Sequence, residues 1–167
     1  RHGGQQRSGR AKGVQQLGGV VDPQPAHPAE LEELAAQGQT EKIALGESSA
    51  NIEAALSVGR HVLFDVPVHR KPEAHLAASL TALQPFLTRQ CVRGLVLCGG
   101  DTAHLVIRTL SPGGIRLEKQ ILPAIPQSCL EGGSMDGLRI VTKAGGFGYK
   151  RALCDIVGVL SQDEERG

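Results

Sequence analysis

An unbroken apolar run, Leu95-Val96-Leu97-Cys98, ends in Gly99-Gly100-Asp101-Thr102 and passes at once into residues with helical spacing, Ala103, Val106, Ile107 and Leu110. A strand with one wet face alternates in polarity. A short strand that is apolar at every position belongs in a sheet covered on both sides. The same succession of strand, glycines and helix recurs at Ile140-Val141-Thr142-Lys143-Ala144-Gly145-Gly146-Phe147-Gly148, with Leu153, Ile156, Val157 and Leu160 on the helix that follows. Strands that feed helices through glycine turns predict an α/β fold, three-layered, with a mostly parallel sheet and helices on both faces.

The rest of the chain continues that alternation. Asp22 to Pro28 carries three prolines and reads as a connection. Leu31, Leu34 and Ala35 then form a short helical stripe that Gly38 can stop. Ser48 or Ser49 can cap a helix whose apolar face is Ile52, Ala55 and Leu56, with Gly59 at the left-handed position after it. His61 to Val66 reads as a strand. Pro72 suits the first turn of a helix bearing Leu76, Leu80 and Leu83, and Pro85 is expected to kink or end it. After Pro112 and two glycines, Ile115 to Leu122 reads as a strand and Pro123 to Pro126 as a rigid extended bend. Glu131 to Gly137 reads as a turn-rich loop and Leu138 to Thr142 as a further strand.

A length of 167 residues with 40% hydrophobic content suits one domain with a sizeable core. Residues 1–13 form a basic segment expected to be mobile, since little in it is apolar, and residues 14–167 form the domain. The start at Arg1 instead of methionine is expected of a fragment or processed product. A formal net charge of +1 leaves no basic field that would draw the chain to nucleic acid. No apolar run approaches the roughly 18 residues of a membrane span, so no membrane partner is expected. The four cysteines, Cys91, Cys98, Cys129 and Cys154, form no CxxC pair and sit among apolar residues, as buried free thiols of a reducing cytoplasm would.

Chemistry concentrates at the two glycine loops. Gly99 and Gly100 let backbone amides approach a ligand, and the helix that follows offers unpaired N–H groups and the positive end of its dipole, so phosphate fits there. A bare Asp101 would repel phosphate unless magnesium bridges the two or the side chain turns back to cap the helix. The cap is the favoured role, with Thr102 nearer the ligand. At the second loop Lys143 has the reach for a phosphate, although a lysine ending a strand is more often a solvated charge. Phe147 suits either stacking on a base or, more commonly, plugging the core. At the ends of neighbouring parallel strands the two loops would face one crevice. Neither is a GxxxxGK[ST] loop or a GxGxxG turn. His61, His69, His75 and His104 lie on different elements without zinc-ligand spacing, and Ser128 and Ser134 lack a GxSxG setting, so no metal ligands or hydrolase triad are assigned.

The order GLVLCGGDTA, a Pro-x-x-Pro segment in LPAIP, then IVTKAGGFG resembles the nucleotide-binding domain of the four-carbon acid sugar kinases, from about Arg60 to Leu160. These are cytoplasmic bacterial enzymes that phosphorylate sugar acids such as threonate, erythronate or their keto relatives. The resemblance implies that Gly99, Gly100, Asp101 and Thr102 line one side of ATP with Mg²⁺ and that Gly145 and Gly146, with Lys143, line the other. It further implies an N-terminal domain that holds the four-carbon sugar acid, transfer of the γ-phosphoryl group to a hydroxyl, and a catalytic base supplied from elsewhere. The chain departs from the family in having no Ser-Gly-Ser stretch. It also has Pro123-Ala124-Ile125-Pro126 where Pro-Gly-Val-Pro is usual, and Tyr149, Lys150 and Arg151 where an acidic residue often follows the Phe-Gly pair. Without a sugar-acid domain the chain alone is expected to be inactive. The rival readings are a non-catalytic nucleotide-binding or assembly module descended from such a kinase, and an unrelated α/β enzyme that takes another phosphorylated ligand. A homo-oligomer is compatible with any of them.

Overall fold

The computed structural model describes residues 16–21, 28–43, 49–65, 72–88 and 91–165. In chain order the elements are β1 (Gln16–Val21), α1 (Pro28–Ala36), β2 (Thr40–Ile43), α2 (Ser49–Ser57), β3 (His61–Asp65), α3 (Pro72–Thr88), β4 (Val92–Cys98), α4 (Gly100–Leu110), β5 (Gly114–Leu122), β6 (Ile125–Glu131), β7 (Arg139–Lys143) and α5 (Ala152–Glu165). A single 3₁₀ turn, Gly133–Met135, lies between β6 and β7. The expected mobile segment 1–13, the connection Asp22–His27, Ser48 and Val66 lie outside the described residues. Ser49 is the first residue of α2.

The strands form one seven-stranded sheet in the order β2-β3-β1-β4-β7-β6-β5. β2, β3, β1, β4 and β7 are parallel, and β6 and β5 add an antiparallel edge. Within β4, alternate residues enter two separate cores because successive side chains leave opposite faces of a pleated strand. Leu95 and Leu97 join Val62, Phe64 and Ile140 beneath Ile52 of α2, Leu83 of α3 and Val106 of α4. Val96 and Cys98 join Leu63 and Val141 beneath Leu34 of α1 and Leu153, Ile156 and Leu160 of α5. The fold is thus α/β in three layers, as the apolar run at Leu95–Cys98 required.

Several local expectations are met. Pro72 opens α3, and Gly38 and Gly59 take φ values of 71° and 80° after α1 and α2. Others are corrected. α3 runs through Pro85 to Thr88, because a proline in the last turn costs one backbone bond while Phe86 and Leu87 still anchor that turn in the core. In α1 the stripe is shifted, with Ala35 exposed and Glu30 buried one turn before Leu34. The segment Pro123–Pro126 is a hairpin turn: Leu122 pairs with Ile125, Pro123 and Ala124 make the corner, and Pro126 already belongs to β6. Proline presets φ at the first corner residue, and Ala124 takes φ 60° at the second, a left-handed value that favours glycine. Cys91 is exposed, while Cys98, Cys129 and Cys154 are buried.

β1, β2 and β6 were not anticipated. β1 contains Gly18 and Gly19, which carry no strand propensity, yet it is flanked by β3 and β4 at the middle of the sheet. From β1 the chain crosses through α1 to β2 on one side. From β4 it crosses through α4 to the other side, over the opposite face. The order of winding therefore reverses between β1 and β4, the place where open α/β sheets leave a crevice beyond the carboxyl ends of their strands.

Candidate functional site

The two glycine loops leave neighbouring strands at the same height. Cys98, the last residue of β4, lies in register with Lys143, the last of β7. The Gly99 amide donates to the Lys143 carbonyl at 2.7 Å, so the ladder continues into the first loop. Gly99 takes φ 99° and ψ 140° before α4, where a side chain would be strained, and its carbonyl accepts from Ala103 at 3.0 Å to start the helix. Among the described residues, a Cβ placed on Gly100 or on Gly146 would meet nothing within 4 Å beyond its own chain neighbours and local helix backbone. Both glycines therefore border open space.

Asp101 does not cap α4. The cap position belongs to Gly99, without a side-chain bond, and Asp101 sits exposed inside the first turn, past the position from which a side chain reaches back to the helix amides. Thr102 is buried, so Asp101 is the more open of the two toward solvent.

Lys143 is no solvated charge. It is 1% exposed, and its ammonium lies 2.9 Å from Oε2 of Glu30, itself 2% exposed, in the first turn of α1. The carboxylate approaches off the line of a hydrogen bond, so the contact is mainly charge to charge. The Lys143 ammonium also lies 3.3 Å from the Gly145 carbonyl oxygen and 3.5 Å from that of Ala144. β7 points this residue to the face that α1 covers, and a buried ammonium persists only with an anion beside it.

Gly148 closes the arrangement. Its φ is 116°, and an added Cβ would fall 2.9 Å from Glu30 Oε1, 3.0 Å from Lys143 Cε and 3.1 Å from the Ala152 methyl. Lys150 and Arg151, the basic residues in place of an acidic one, reach Glu33 on the next turn of α1 at 3.2 and 3.1 Å. The second loop is therefore tied to α1 twice, once in the interior and once at the surface. Phe147 is 60% exposed and does not plug the core. With Tyr149, Gly145, Gly146, Gly148, Ala29 and Glu30 it lines a depression of about 360 Å³. The Tyr149 hydroxyl donates to Asp155, which pushes the phenol above its ordinary range.

Glu30 and Gly148 are the two site residues that the motif reading missed. Glu30 had a signal, since it precedes Leu34 by four residues and so shares the buried face of the helix. Gly148 stood inside the IVTKAGGFG segment without a role.

A family model described as the nucleotide-binding C-terminal domain matches residues 14–153. The chain belongs to that family. Three D-threonate kinases are similar to this nucleotide-binding domain over parts of their length. The enzyme of Salmonella typhimurium is 41% identical over 71 residues, covering 42% of this chain and 17% of the enzyme. That of Bordetella bronchiseptica is 43% identical over 60 residues, covering 36% and 15%. That of Cupriavidus necator is 32% identical over 107 residues, covering 62% and 24%. The chain thus spans a quarter or less of each of these relatives. Among solved structures, a domain of unknown function from Bordetella bronchiseptica, a domain-swapped dimer with bound citrate, superposes with a TM-score of 0.71 at 23% identity, over 90% of this chain and 40% of that one. A Haemophilus influenzae protein superposes with a TM-score of 0.56 at 15% identity, over 86% and 40%. Both share the fold of this nucleotide-binding domain. No helix among the described residues is long and apolar enough to cross a membrane.

Proposed function

We propose that this domain holds ATP for a kinase that phosphorylates a four-carbon sugar acid, the acceptor being held by an N-terminal domain of the same enzyme. The observation that carries the reading is the pairing of two glycine loops beyond the ends of β4 and β7, with Gly100 and Gly146 facing open space. The names of the D-threonate kinase relatives support the acceptor class. The family match from 14 to 153 supports taking residues 14–167 as the domain, and the cytoplasm, where ATP is abundant, is the compartment that suits it.

The residues present fit a triphosphate. Gly99 and Gly100 bring the first turn and positive end of α4 to one side of it. Gly145 and Gly146 present backbone to the other side. Asp101, an exposed carboxylate in the first turn of α4, suits Mg²⁺ better than it suits phosphate. When bound, Mg·ATP supplies the γ-phosphoryl group with its charge neutralised. This chain's own residues bind and orient it. Alignment of the acceptor hydroxyl falls to the other domain.

Calorimetric titration of the chain with ATP in the presence and absence of Mg²⁺ tests the reading. Magnesium-dependent binding is expected. Preference for a phosphorylated compound without a nucleoside would move the chain to another class of phosphate-binding enzyme.

A further inference from the structure

We infer that Lys143 acts on the nucleotide through the backbone and not by touching phosphate: with Glu30 it is a positioning residue that aims the amides of Gly145 and Gly146 into the crevice. The inference rests on the nucleotide reading above and adds to it the means by which the second loop grips an anion.

An ammonium has three N–H groups, and three protein oxygens already surround this one: Glu30 Oε2 at 2.9 Å, Gly145 O at 3.3 Å and Ala144 O at 3.5 Å. The two carbonyl distances are long for hydrogen bonds and act as charge–dipole contacts. The side chain is fully buried, with Gly148 packed over Cε, so it has no route to the crevice without leaving Glu30.

Its effect on the loop follows from peptide geometry. No peptide bond in the described residues is cis, and in a trans peptide the C=O and N–H point in opposite directions. Holding the Ala144 carbonyl against the ammonium turns the Gly145 N–H away from it. Holding the Gly145 carbonyl does the same for the Gly146 N–H. Among the described residues neither amide donates to another backbone group, whereas the next one, Phe147, donates to Ala144 O at 3.1 Å. Successive outward amides form an anion-binding concavity. They stand beside Gly146, where no described residue other than its chain neighbours lies within 4 Å of an added Cβ. Glu30 fixes the ammonium and thereby couples the loop to α1.

The decisive test is the sign of one substitution. If Lys143 touched phosphate directly, Glu30→Gln would release it from a competing carboxylate and tighten Mg·ATP binding. If the pair positions the loop, Glu30→Gln weakens binding, by on the order of tenfold for the loss of about one well-aimed charge-assisted bond. Because Glu30→Gln leaves a buried charge unpaired, the double variant Glu30→Gln/Lys143→Met is measured beside it. That variant keeps the volume, folds without a buried charge, and is expected to show the same weakening. Amide exchange by NMR in the ligand-free chain gives an independent reading, with faster exchange at Phe147 and shifted resonances for Gly145 and Gly146 in the double variant. Tighter ATP binding by Glu30→Gln, or an unchanged loop in the double variant, overturns the inference. A wild-type chain that binds no ATP but shows the loop change would instead sink the nucleotide reading and leave the positioning role standing.

Discussion

The Gly99 amide and the Lys143 carbonyl oxygen are 2.7 Å apart, and this bond joins the two glycine loops just beyond the last in-register pair of β4 and β7. The loops are held by the sheet itself, so their spacing is inherited from the roughly 4.8 Å separation of neighbouring strands. A ligand gripped by both must fit that fixed gap. Substitutions at the glycines therefore separate into those that disturb the frame and those that only fill the gap.

Gly99 and Gly100 should behave differently. Gly99→Ala forces a side chain onto φ 99° and is expected to lower stability by about 1–2 kcal/mol. At Gly100 an added Cβ meets no described residue beyond its local backbone, so Gly100→Val should leave the melting temperature nearly unchanged while weakening Mg·ATP binding by on the order of tenfold. Urea unfolding and calorimetric titration of both variants check this. Unchanged affinity in folded Gly100→Val would remove the first loop from the site.

At the second loop the same contrast holds between Gly146 and Gly148. Gly148→Ala combines a φ of 116° with contacts near 3 Å to Glu30, Lys143 and Ala152, and should cost about 2–4 kcal/mol. Gly146→Ala should be neutral to stability within about 0.5 kcal/mol. Denaturant midpoints distinguish them directly.

Ala124 occupies a turn position with φ 60°, where a Cβ is crowded by the backbone. Ala124→Gly relieves that crowding, partly offset by the greater freedom glycine has in the unfolded chain, and is expected to raise stability by up to about 1 kcal/mol. Thermal melts of the two proteins give the answer, and a lower melting temperature would contradict it.

The thiols predict both a labelling pattern and a pH dependence. A thiol reagent should modify exposed Cys91 in the native chain and reach Cys98, Cys129 and Cys154 only on unfolding. Burial pushes the Cys129 and Cys154 thiols above the ordinary range. The folded chain then keeps protons that the unfolded chain loses, so the stability these groups contribute is intact below about pH 8.5 and declines as pH rises past it. Denaturant titrations between neutral and alkaline pH, with Cys129→Ala/Cys154→Ala as the reference, should show the reference losing less.

Phosphoryl transfer requires an acceptor held in line, and in the proposed reading this domain supplies the nucleotide side. The chain alone is expected to release no ADP with threonate, erythronate or their keto analogues, and to gain activity when joined to a matching sugar-acid domain that also restores a Ser-Gly-Ser segment. A coupled ADP-release assay measures both. Turnover by the chain alone would make it a complete enzyme.

The layered α/β fold was legible in the sequence because the unbroken apolar run at Leu95–Cys98 has only one stable setting, between two layers of helices, and because glycine pairs mark where strands hand over to helices. The adjacency of the two loops was legible for the same reason. Where local signals are weak, tertiary structure decided. Gly18 and Gly19 lie within β1, held there by partners on both sides, and Pro126 of β6 sits in an edge hairpin that tolerates it. The fate of Lys143 could not be read from its neighbours in sequence. A lysine at the end of a strand is solvated unless a distant carboxylate arrives, and Glu30 comes to it from a helix more than a hundred residues earlier, brought by the packing of α1 against α5 and the sheet. Short-range pattern determines which elements form. The pairing of charges across the core exists only after those elements have met.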